Sequence, residues 1–494
     1  MHFNLNQILI NHGFKLKSLN DTIYLNLYEA IKNAILSQTL DSNIKLPPSR
    51  VLAKDLKISR STVLKAYDLL VLEKYVTSVT GSGYFINSIK DKKNHKNLQI
   101  PGERAKYPKL SKKGTAFKKN VVFIKNDQDK GIAFRPGLPP LDIFPTQLWK
   151  NLSNDYWKNV KYSLLSYSNT IGLECLRNNI SNYLKVYRGI NCNSDQIVIT
   201  TGSLHSLSLI GEALIDENDK IIIENPTYPL AYNLFKGLKA KIITSNIDNE
   251  GIIVKNLIVK NPKIIYTTPS NQYPTGVKMS YNRRVELLQW ASNNKTFIIE
   301  DDYDHEFSNW GNPISSIFSL DGQEQTIYLG TFNKLLHPSI RIGYMIVPYY
   351  LLDPILSIYQ HTSRFVSPSL QRTLSAFIEK DYLNKHLRKV IDVADERKKV
   401  FLNAFFANFE KTITLDNENT GLHIIGRFHE DFDDVKLSEY LRKKNIIAYP
   451  YSKYFIQGKK ENGIVMGYCS VNNKIIKETI SKMKTEFNNF ILDS

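Results

Sequence analysis

The stretch Thr326-Ile327-Tyr328-Leu329-Gly330-Thr331-Phe332-Asn333-Lys334, with Arg341-Ile342-Gly343-Tyr344 just beyond it, decides the fold of most of this chain. It begins as an apolar, β-prone run, turns on glycine and a hydroxyl, and ends on a lysine. Five similar runs precede it, at residues 196–200, 220–223, 241–243, 263–266 and 296–300, and helical stretches fill several of the gaps. Strands alternating with helices predict an α/β domain over residues 132–494 with a mostly parallel sheet, whose ligands bind beyond the carboxyl ends of the strands. Chemistry should therefore follow each run directly.

It does. The 196–200 run leads into Thr201-Gly202-Ser203-Leu204-His205, a turn that opens a helix, where free backbone N–H groups and the helix dipole suit a phosphate. The 220–223 run leads into Glu224-Asn225-Pro226-Thr227-Tyr228-Pro229, an aromatic face at the same sheet edge. The 263–266 run leads into Thr267-Thr268-Pro269-Ser270-Asn271-Gln272-Tyr273-Pro274-Thr275-Gly276, and the 296–300 run ends in Asp301-Asp302-Tyr303-Asp304-His305-Glu306-Phe307. Pyridoxal 5'-phosphate needs a lysine for a Schiff base, a carboxylate for its pyridine nitrogen and a donor for its phenolic oxygen. It also needs an aromatic ring against its own, with hydroxyl, arginine and N–H groups for its phosphate.

This ordered set resembles the fold-type I aminotransferases over about residues 132–490. The resemblance implies Lys334 as the aldimine and catalytic lysine, Asp301 as the pyridinium partner, Tyr303 as the phenolic donor and Tyr228 as the stacking ring. It places Gly202, Ser203, Leu204, Thr331 and Arg341 around the phosphate. Tyr167, in Tyr167-Ser168-Asn169-Thr170-Ile171-Gly172, matches the tyrosine such proteins lend to a neighbouring subunit's phosphate, which implies a head-to-tail homodimer with shared sites. Asp302 beside Asp301, and core packing for Tyr228, remain the competing assignments. No metal is expected. His305-Glu306 has no second histidine at metalloprotease spacing and reads as solvated or capping, and Cys175, Cys192 and Cys469 have no C-x-x-C spacing.

Upstream, Ile23, Leu27, Ile31, Ala34 and Ile35 recur at helical spacing, predicting a helix over 24–38. After Leu46-Pro47-Pro48, Ser49 is expected to cap a short helix over 50–56, and Ser59 a second over 60–72. Two short helices joined by a turn make a helix-turn-helix, with Arg60, Ser61, Thr62 and Lys65 at the start of the recognition helix. Two β-prone runs around Gly81-Ser82-Gly83 predict a hairpin wing. Leu46-Pro47-Pro48-Ser49-Arg50, residues 59–63 and Gly81-Ser82-Gly83 resemble the winged domain of the GntR superfamily, here over 18–87. The resemblance implies double-stranded DNA as partner, with Arg50, Ser59, Arg60, Ser61, Thr62, Lys65, Gly81 and Gly83 at the interface. Pro48 stands where a small polar residue is usual.

Residues 88–131 show no sustained apolar periodicity and read as a basic linker, with a flexible reach of roughly 35–40 Å against about 34 Å between half-sites one turn apart. Charge follows this division. Of a net +18 over 494 residues, +13 falls in the first 130, and only +5 on the remaining 364. Lys and Arg displace counterions from nucleic-acid phosphates, although AT-rich coding would also enrich lysine. No run approaches the ~18 apolar residues of a membrane helix. The amino terminus lacks a basic-then-apolar leader, so the expected location is cytoplasmic, without a membrane partner.

Reader, linker and body in this order resemble the MocR family of transcription regulators. Two positions depart from working aminotransferases. Tyr273-Pro274-Thr275-Gly276 replaces N-P-T-G, and Gly463-Ile464-Val465-Met466-Gly467-Tyr468 stands where a carboxylate-gripping arginine is usual, leaving Arg427 as a possible substitute. The expected function is a DNA-binding regulator whose small-molecule effector is pyridoxal phosphate itself, in control of vitamin B6 metabolism, or an amino acid or amine that forms an aldimine. The alternative is an active aminotransferase with an accessory DNA-binding domain. A third reading is a regulator whose body is a vestigial dimerisation module.

Overall fold

Isoleucine-rich runs become strands here because both faces of the sheet they form are covered, which leaves no need for polar alternation. In the computed structural model the described residues are 5–15, 22–88, 110–119, 133–307, 314–409, 412–416, 421–429 and 432–493. They form two units, Met1–Pro108 and Lys109–Ser494.

The first unit holds α1 (Leu5–Asn11), α2 (Ile23–Leu36), α3 (Ser49–Asp55), α4 (Arg60–Leu72), β1 (Val76–Val79) and β2 (Gly83–Ile86). Leu27, Ile31 and Ala34 of α2 meet Val63, Ala66, Tyr67 and Leu70 of α4 in one core. Leu5 and Leu9 of α1, four residues apart on one helical face, join it with Phe14, so the packed unit begins upstream of residue 18. β1 and β2 pair antiparallel, Val76 opposite Ile86 and Val79 opposite Gly83. The turn between them needs positive φ at Gly81 and Gly83, which glycine adopts without a Cβ penalty. Ser49 does not cap α3 from outside: it is the helix's first residue, Pro48 stands at the cap, and the Ser49 hydroxyl accepts from Arg60 Nε at 3.3 Å.

Within the 88–131 stretch only residues 88 and 110–119 are described, and the remainder of the proposed linker lies outside the described residues. Lys112–Lys119 forms α5. Its Phe117 ring packs on Gly237 so closely that a Cβ there would approach to 2.3 Å.

The second unit continues with α6 (Thr146–Asn159), α7 (Glu174–Arg188), β3 (Ile197–Thr200), α8 (Ser203–Leu214), β4 (Lys220–Asn225), α9 (Pro229–Gly237), β5 (Lys241–Asp248), β6 (Gly251–Ile252), β7 (Ile264–Thr267), α10 (Tyr281–Asn293), β8 (Phe297–Asp301), α11 (Ile317–Leu320), β9 (Thr326–Thr331) and β10 (Gly343–Ile346). The sheet order is β3-β10-β9-β8-β7-β4-β5-β6. β9, β8, β7, β4 and β5 run parallel, while β10 lies antiparallel between β3 and β9. Successive residues sort onto opposite faces, as a period of two requires: Ile197 and Ile199 face the core of α7, and Val198 faces that of α8 and α9. The carboxyl ends of β3, β4, β7, β8 and β9 therefore share one edge.

After α12 (Tyr349–Thr362), α13 (Pro368–Glu379) and the long α14 (Tyr382–Phe409), the chain builds a smaller antiparallel sheet from β11 (Ile413–Leu415), β12 (His423–Phe428), β13 (Tyr449–Pro450) and β14 (Gly463–Gly467), in the order β11-β12-β14-β13. α15 (Asp434–Lys443) and α16 (Asn473–Asp493) flank it, and Phe401, Phe405, Phe409 and Phe487 fill its core. No helix among the described residues is long and apolar enough to cross a membrane.

Candidate ligand pocket and DNA-reading surface

Lys334 follows β9 and is drawn into the interior, where its Nζ donates to the Gly137 carbonyl at 2.8 Å and lies 5.9 Å from the centre of the Tyr303 ring. Burial disfavours its charged form and lowers its pKa, while the nearby Asp304 and Asp301 carboxyls oppose that shift. A lysine so placed loses its proton more readily than a solvated one.

The end of β8 supplies the acids, and tertiary contacts tell them apart. Asp302 is engaged through one oxygen: Arg188 Nε reaches its Oδ2 at 2.7 Å, and so does the Tyr328 hydroxyl, while its buried Oδ1 has no hydrogen-bond partner among the described residues. The same guanidinium spans the Ser270 hydroxyl and the Ile314 carbonyl, each at 2.7 Å. Despite burial, Arg188 and His305 hold Asp302 well below the usual carboxylate range. Asp301 accepts from the Tyr266 hydroxyl at 2.9 Å on Oδ2, and the Ser203 side chain lies near it, while its buried Oδ1 makes no close hydrogen bond among the described residues. Burial pushes its pKa up to about 6. The Tyr303 hydroxyl is also buried without a partner. A buried polar atom left unpaired costs about 1–3 kcal/mol, and Asp302 Oδ1 and Asp304 Oδ2 in the same cluster are unpaired among the described residues as well.

Beside them, Gly202 caps α8 with φ of 112° and supplies no side chain to the helix's first N–H groups, those of Ser203 and Leu204. A Cβ at Gly202 would lie 3.2 Å from Asn333 Nδ2 and 3.8 Å from an Arg341 terminal nitrogen, and one at Gly343 would lie 2.7 Å from the Gly202 Cα. Thr331 ends β9, and its hydroxyl accepts the Asn333 N–H at 3.2 Å. The start of α8, the 331–333 turn and Arg341 thus lie close together, with glycine at 202 and 343 where a Cβ would crowd its neighbours.

The pocket wall is aromatic. Tyr228 caps α9, and its ring meets Tyr273 edge-on at 5.5 Å. Tyr273, at the position where asparagine is usual, also touches Tyr303 (5.9 Å), His423 (5.1 Å) and Tyr454 (5.6 Å). Asn271 is committed elsewhere, donating to Asp304 Oδ1 at 2.7 Å.

Gly202 lies near Arg341, Asp301 near Ser203 and Lys334, Lys334 near Tyr303, and Tyr228 within electrostatic reach of Asp301 and Arg341, whereas Leu204 packs against the core of α8 and α9 and Thr331 bonds Asn333. Tyr167 does not join them within this chain: it is 79% exposed, beneath the Arg364 guanidinium at 4.7 Å, beside exposed Trp157, Tyr162, Leu164 and Leu165. Arg427 is unavailable as a substitute clamp, because Asp416 holds it at 2.9–3.2 Å and Glu461 pairs with it as well. Nor are His305 and Glu306 solvated or capping; they lie in the interior, with Glu306 accepting from the Tyr183 hydroxyl at 2.8 Å and His305 Nδ1 3.6 Å from Asp302. No metal-binding cluster occurs among the described residues.

Sequence reasoning passed over Gly137, Asn333, Asp304 and His423. Asn333 stood inside the quoted stretch, one residue from the lysine. His423, with Nδ1 unpaired and its pKa pushed down to about 4 by burial, carries no local signal.

In the first unit the expected DNA-facing residues gather at the start of α4 and on the wing. Ser59 caps α4 through the Thr62 N–H at 3.1 Å and also contacts the Ser61 and Thr62 hydroxyls. Arg50, Ser59, Arg60, Ser61, Lys65 and Gly81 are exposed, and Thr62 and Gly83 half-buried. Lys65 extends over the Tyr24 ring at 5.6 Å.

Residues 143–482 match the family described as aminotransferase class I and II, and residues 23–86 match bacterial regulatory proteins of the gntR family. Over nearly its full length the chain is similar to a probable rhizopine catabolism regulatory protein, MocR, of Rhizobium meliloti, at 30% identity over 94% of each chain. It is also similar to an HTH-type pyridoxine biosynthesis transcriptional regulator, PdxR, of Corynebacterium glutamicum, at 26% identity over 94% of this chain and 95% of that one. Among solved structures, an archaeal alanine:glyoxylate aminotransferase superposes with a TM-score of 0.68 at 25% identity, covering 77% of this chain and 96% of its own.

Proposed function

Because the chain belongs to the MocR-type transcriptional regulators, a gntR-family winged domain followed by a class I and II aminotransferase domain, we propose that it holds pyridoxal 5'-phosphate at Lys334 and converts occupancy of that pocket into a change in DNA binding. The observation that carries this reading is the pair of buried atoms, Asp301 Oδ1 and Tyr303 OH, without a hydrogen-bond partner among the described residues, near a half-buried lysine whose Nζ donates to a carbonyl.

The residues fit the group. Asp301 would face the pyridine nitrogen and Tyr303 the phenolic oxygen. Tyr228 would lie against the ring, with the phosphate among the Ser203 and Leu204 N–H groups, Gly202, Thr331 and Arg341. When bound, the cofactor supplies an electrophilic carbon to which amines attach reversibly. For its part the chain desolvates Lys334, which favours the neutral, nucleophilic amine. It also keeps Asp301 away from the Arg188 charge that fixes Asp302.

Tyr167 and the exposed aromatic surface around it would meet a second copy of the chain, in a head-to-tail homodimer that lends the hydroxyl to the partner's phosphate site. The winged unit would dock α4 in the major groove, Arg60, Ser61, Thr62 and Lys65 foremost, with Arg50, Ser59 and the wing glycines Gly81 and Gly83 along the backbone. Residues 88–131 would tether the two functions. The effector is pyridoxal phosphate itself or an amino acid or amine. It acts only through unequal affinity for two states of the protein, and a tenfold change in DNA affinity requires about 1.4 kcal/mol of difference.

Footprinting the DNA beside the protein's own gene, with and without pyridoxal phosphate and at two salt concentrations, tests the reading. Protection is expected to change with the cofactor and to weaken with salt. Protection that is indifferent to the cofactor, in protein whose visible spectrum shows the cofactor bound, would reduce the body to a dimerisation module.

A further inference from the structure

Arg135 lies in Phe134-Arg135-Pro136-Gly137, a segment fixed at both ends. Phe134 is buried edge-on against Phe401 at 5.3 Å, and its carbonyl accepts the Gly467 N–H at 2.8 Å. Gly137 gives its carbonyl to Lys334. Between them, the Arg135 backbone rests on Gly467 so closely that a Cβ there would come within 2.2 Å of the Arg135 carbonyl oxygen. Two residues span at most roughly 7 Å, so this arginine is anchored within about that distance of the residue Lys334 touches.

Among the described residues its own side chain has no hydrogen-bond or ion-pair counterpart. Arg135 Nε is buried and takes no hydrogen bond, and no carboxylate among the described residues pairs with the guanidinium. The group its charge reaches is the Tyr449 phenol, which packs with Tyr273 on the cluster of Tyr451, Tyr454 and Phe455. Arg135 is half-buried, whereas the side chains of Arg177, Arg188, Arg284 and Arg397 are buried and each has a partner: Asp195 at 2.8 Å, Asp302 at 2.7 Å, the Pro269 carbonyl at 2.8 Å and Asp142 at 2.6 Å respectively. An arginine fork matches a carboxylate bidentately. Meanwhile β14 of this chain, Gly463–Gly467, brings no arginine to the pocket, and Arg427 is held by Asp416.

We infer that Arg135 binds the carboxylate of an amino-acid effector whose amino group reaches the cofactor site, an assignment that rests on the pyridoxal phosphate reading above. An amine without a carboxylate, or the cofactor alone, would leave Arg135 unpaired and act weakly.

Calorimetric titration of the full-length, cofactor-loaded protein with the coded amino acids and β-alanine, followed by the amide and the decarboxylated amine of the tightest binder, tests this. The acid is expected to bind about 10- to 100-fold more tightly than either neutral analogue, the scale of one charge-assisted pair. Arg135→Met should abolish that preference and Arg135→Lys retain part of it. Equal affinity for acid and amide in the unaltered protein, or a preference that survives Arg135→Met, overturns the assignment. Should Arg135→Met fail to fold, the acid-to-amide comparison in the unaltered protein decides alone. Protein that takes up no pyridoxal phosphate, judged by its visible spectrum, removes the underlying reading and this one with it. Protein that takes up the cofactor and binds none of the amino acids removes only the role of Arg135.

Discussion

The recognition helix and the lysine pocket solve opposite problems with much the same residue types. At the start of α4, Ser59, Arg60, Ser61 and Lys65 are exposed; the serines and arginine make short-range contacts (a cap, two hydroxyl pairs, an arginine on Ser49), and Lys65 reaches over Tyr24. Around Lys334, Asp301 and the Tyr303 hydroxyl are buried, and Asp301 Oδ1 and Tyr303 OH make no hydrogen bond among the described residues. An exposed reader works through charge that salt screens. A buried pocket works through desolvation, which salt does not reach but pH does.

The largest expected effect breaks the pocket alone. Lys334→Ala should eliminate the visible absorbance that appears when pyridoxal phosphate is added, while DNA binding measured without cofactor stays intact. Loss of both would mean the two regions are not separable.

Asp301→Asn should weaken cofactor binding by about 10- to 100-fold, the scale of a hydrogen bond to a charged group. Its pH signature sharpens the contrast. In the empty pocket Asp301 keeps its proton up to about pH 6, against about 3.9 in an unfolded chain. The folded state therefore binds more protons between those values, and stability of the cofactor-free protein falls as pH rises through that window. A ring-nitrogen partner needs the anion, so cofactor affinity should drop as pH falls below about 6. Equilibrium titrations and thermal unfolding from pH 5 to 7 should show both slopes in the unaltered protein and neither in Asp301→Asn.

On the reader, Arg60→Ala should cost roughly 1–3 kcal/mol on the cognate site and relax sequence preference, whereas Lys65→Ala should weaken all duplexes alike and reduce the salt slope by about 1. Gel-shift titrations at several salt concentrations separate the two. The smallest effect is Ser59→Ala, which removes the cap of α4 and should lower the stability of the first unit by about 1 kcal/mol, read as an earlier loss of helical signal on heating.

Much of this was legible without the structure because the signals are local. Helical spacing of Leu27, Ile31 and Ala34 predicted α2 to within two residues at either end, and α4 spans 60–72 as read from its serine cap and apolar periodicity. Strand ends placed Gly202, Tyr228, Asp301, Thr331 and Lys334 in order along the chain. β10 escaped, since an antiparallel strand inserted between β3 and β9 carries no marker of its neighbours. So did α1, whose two leucines acquire meaning only against Phe14 and α2.

The sequence by itself determined which residue types arrive at the sheet edge and which helices cap and pack, because capping and periodicity act over three or four residues. Only the tertiary structure decided what each is free to do. Asp301 and Asp302 are adjacent and chemically identical, yet Arg188, 114 positions away from Asp302, pairs with the second and lowers its pKa despite burial, while burial raises that of the first. Arg427 was equally plausible as a clamp until Asp416 and Glu461 closed on it, and Arg135 became notable only because no acid among the described residues did. Burial and ion pairing are set by neighbours distant in the chain, and no local pattern encodes them.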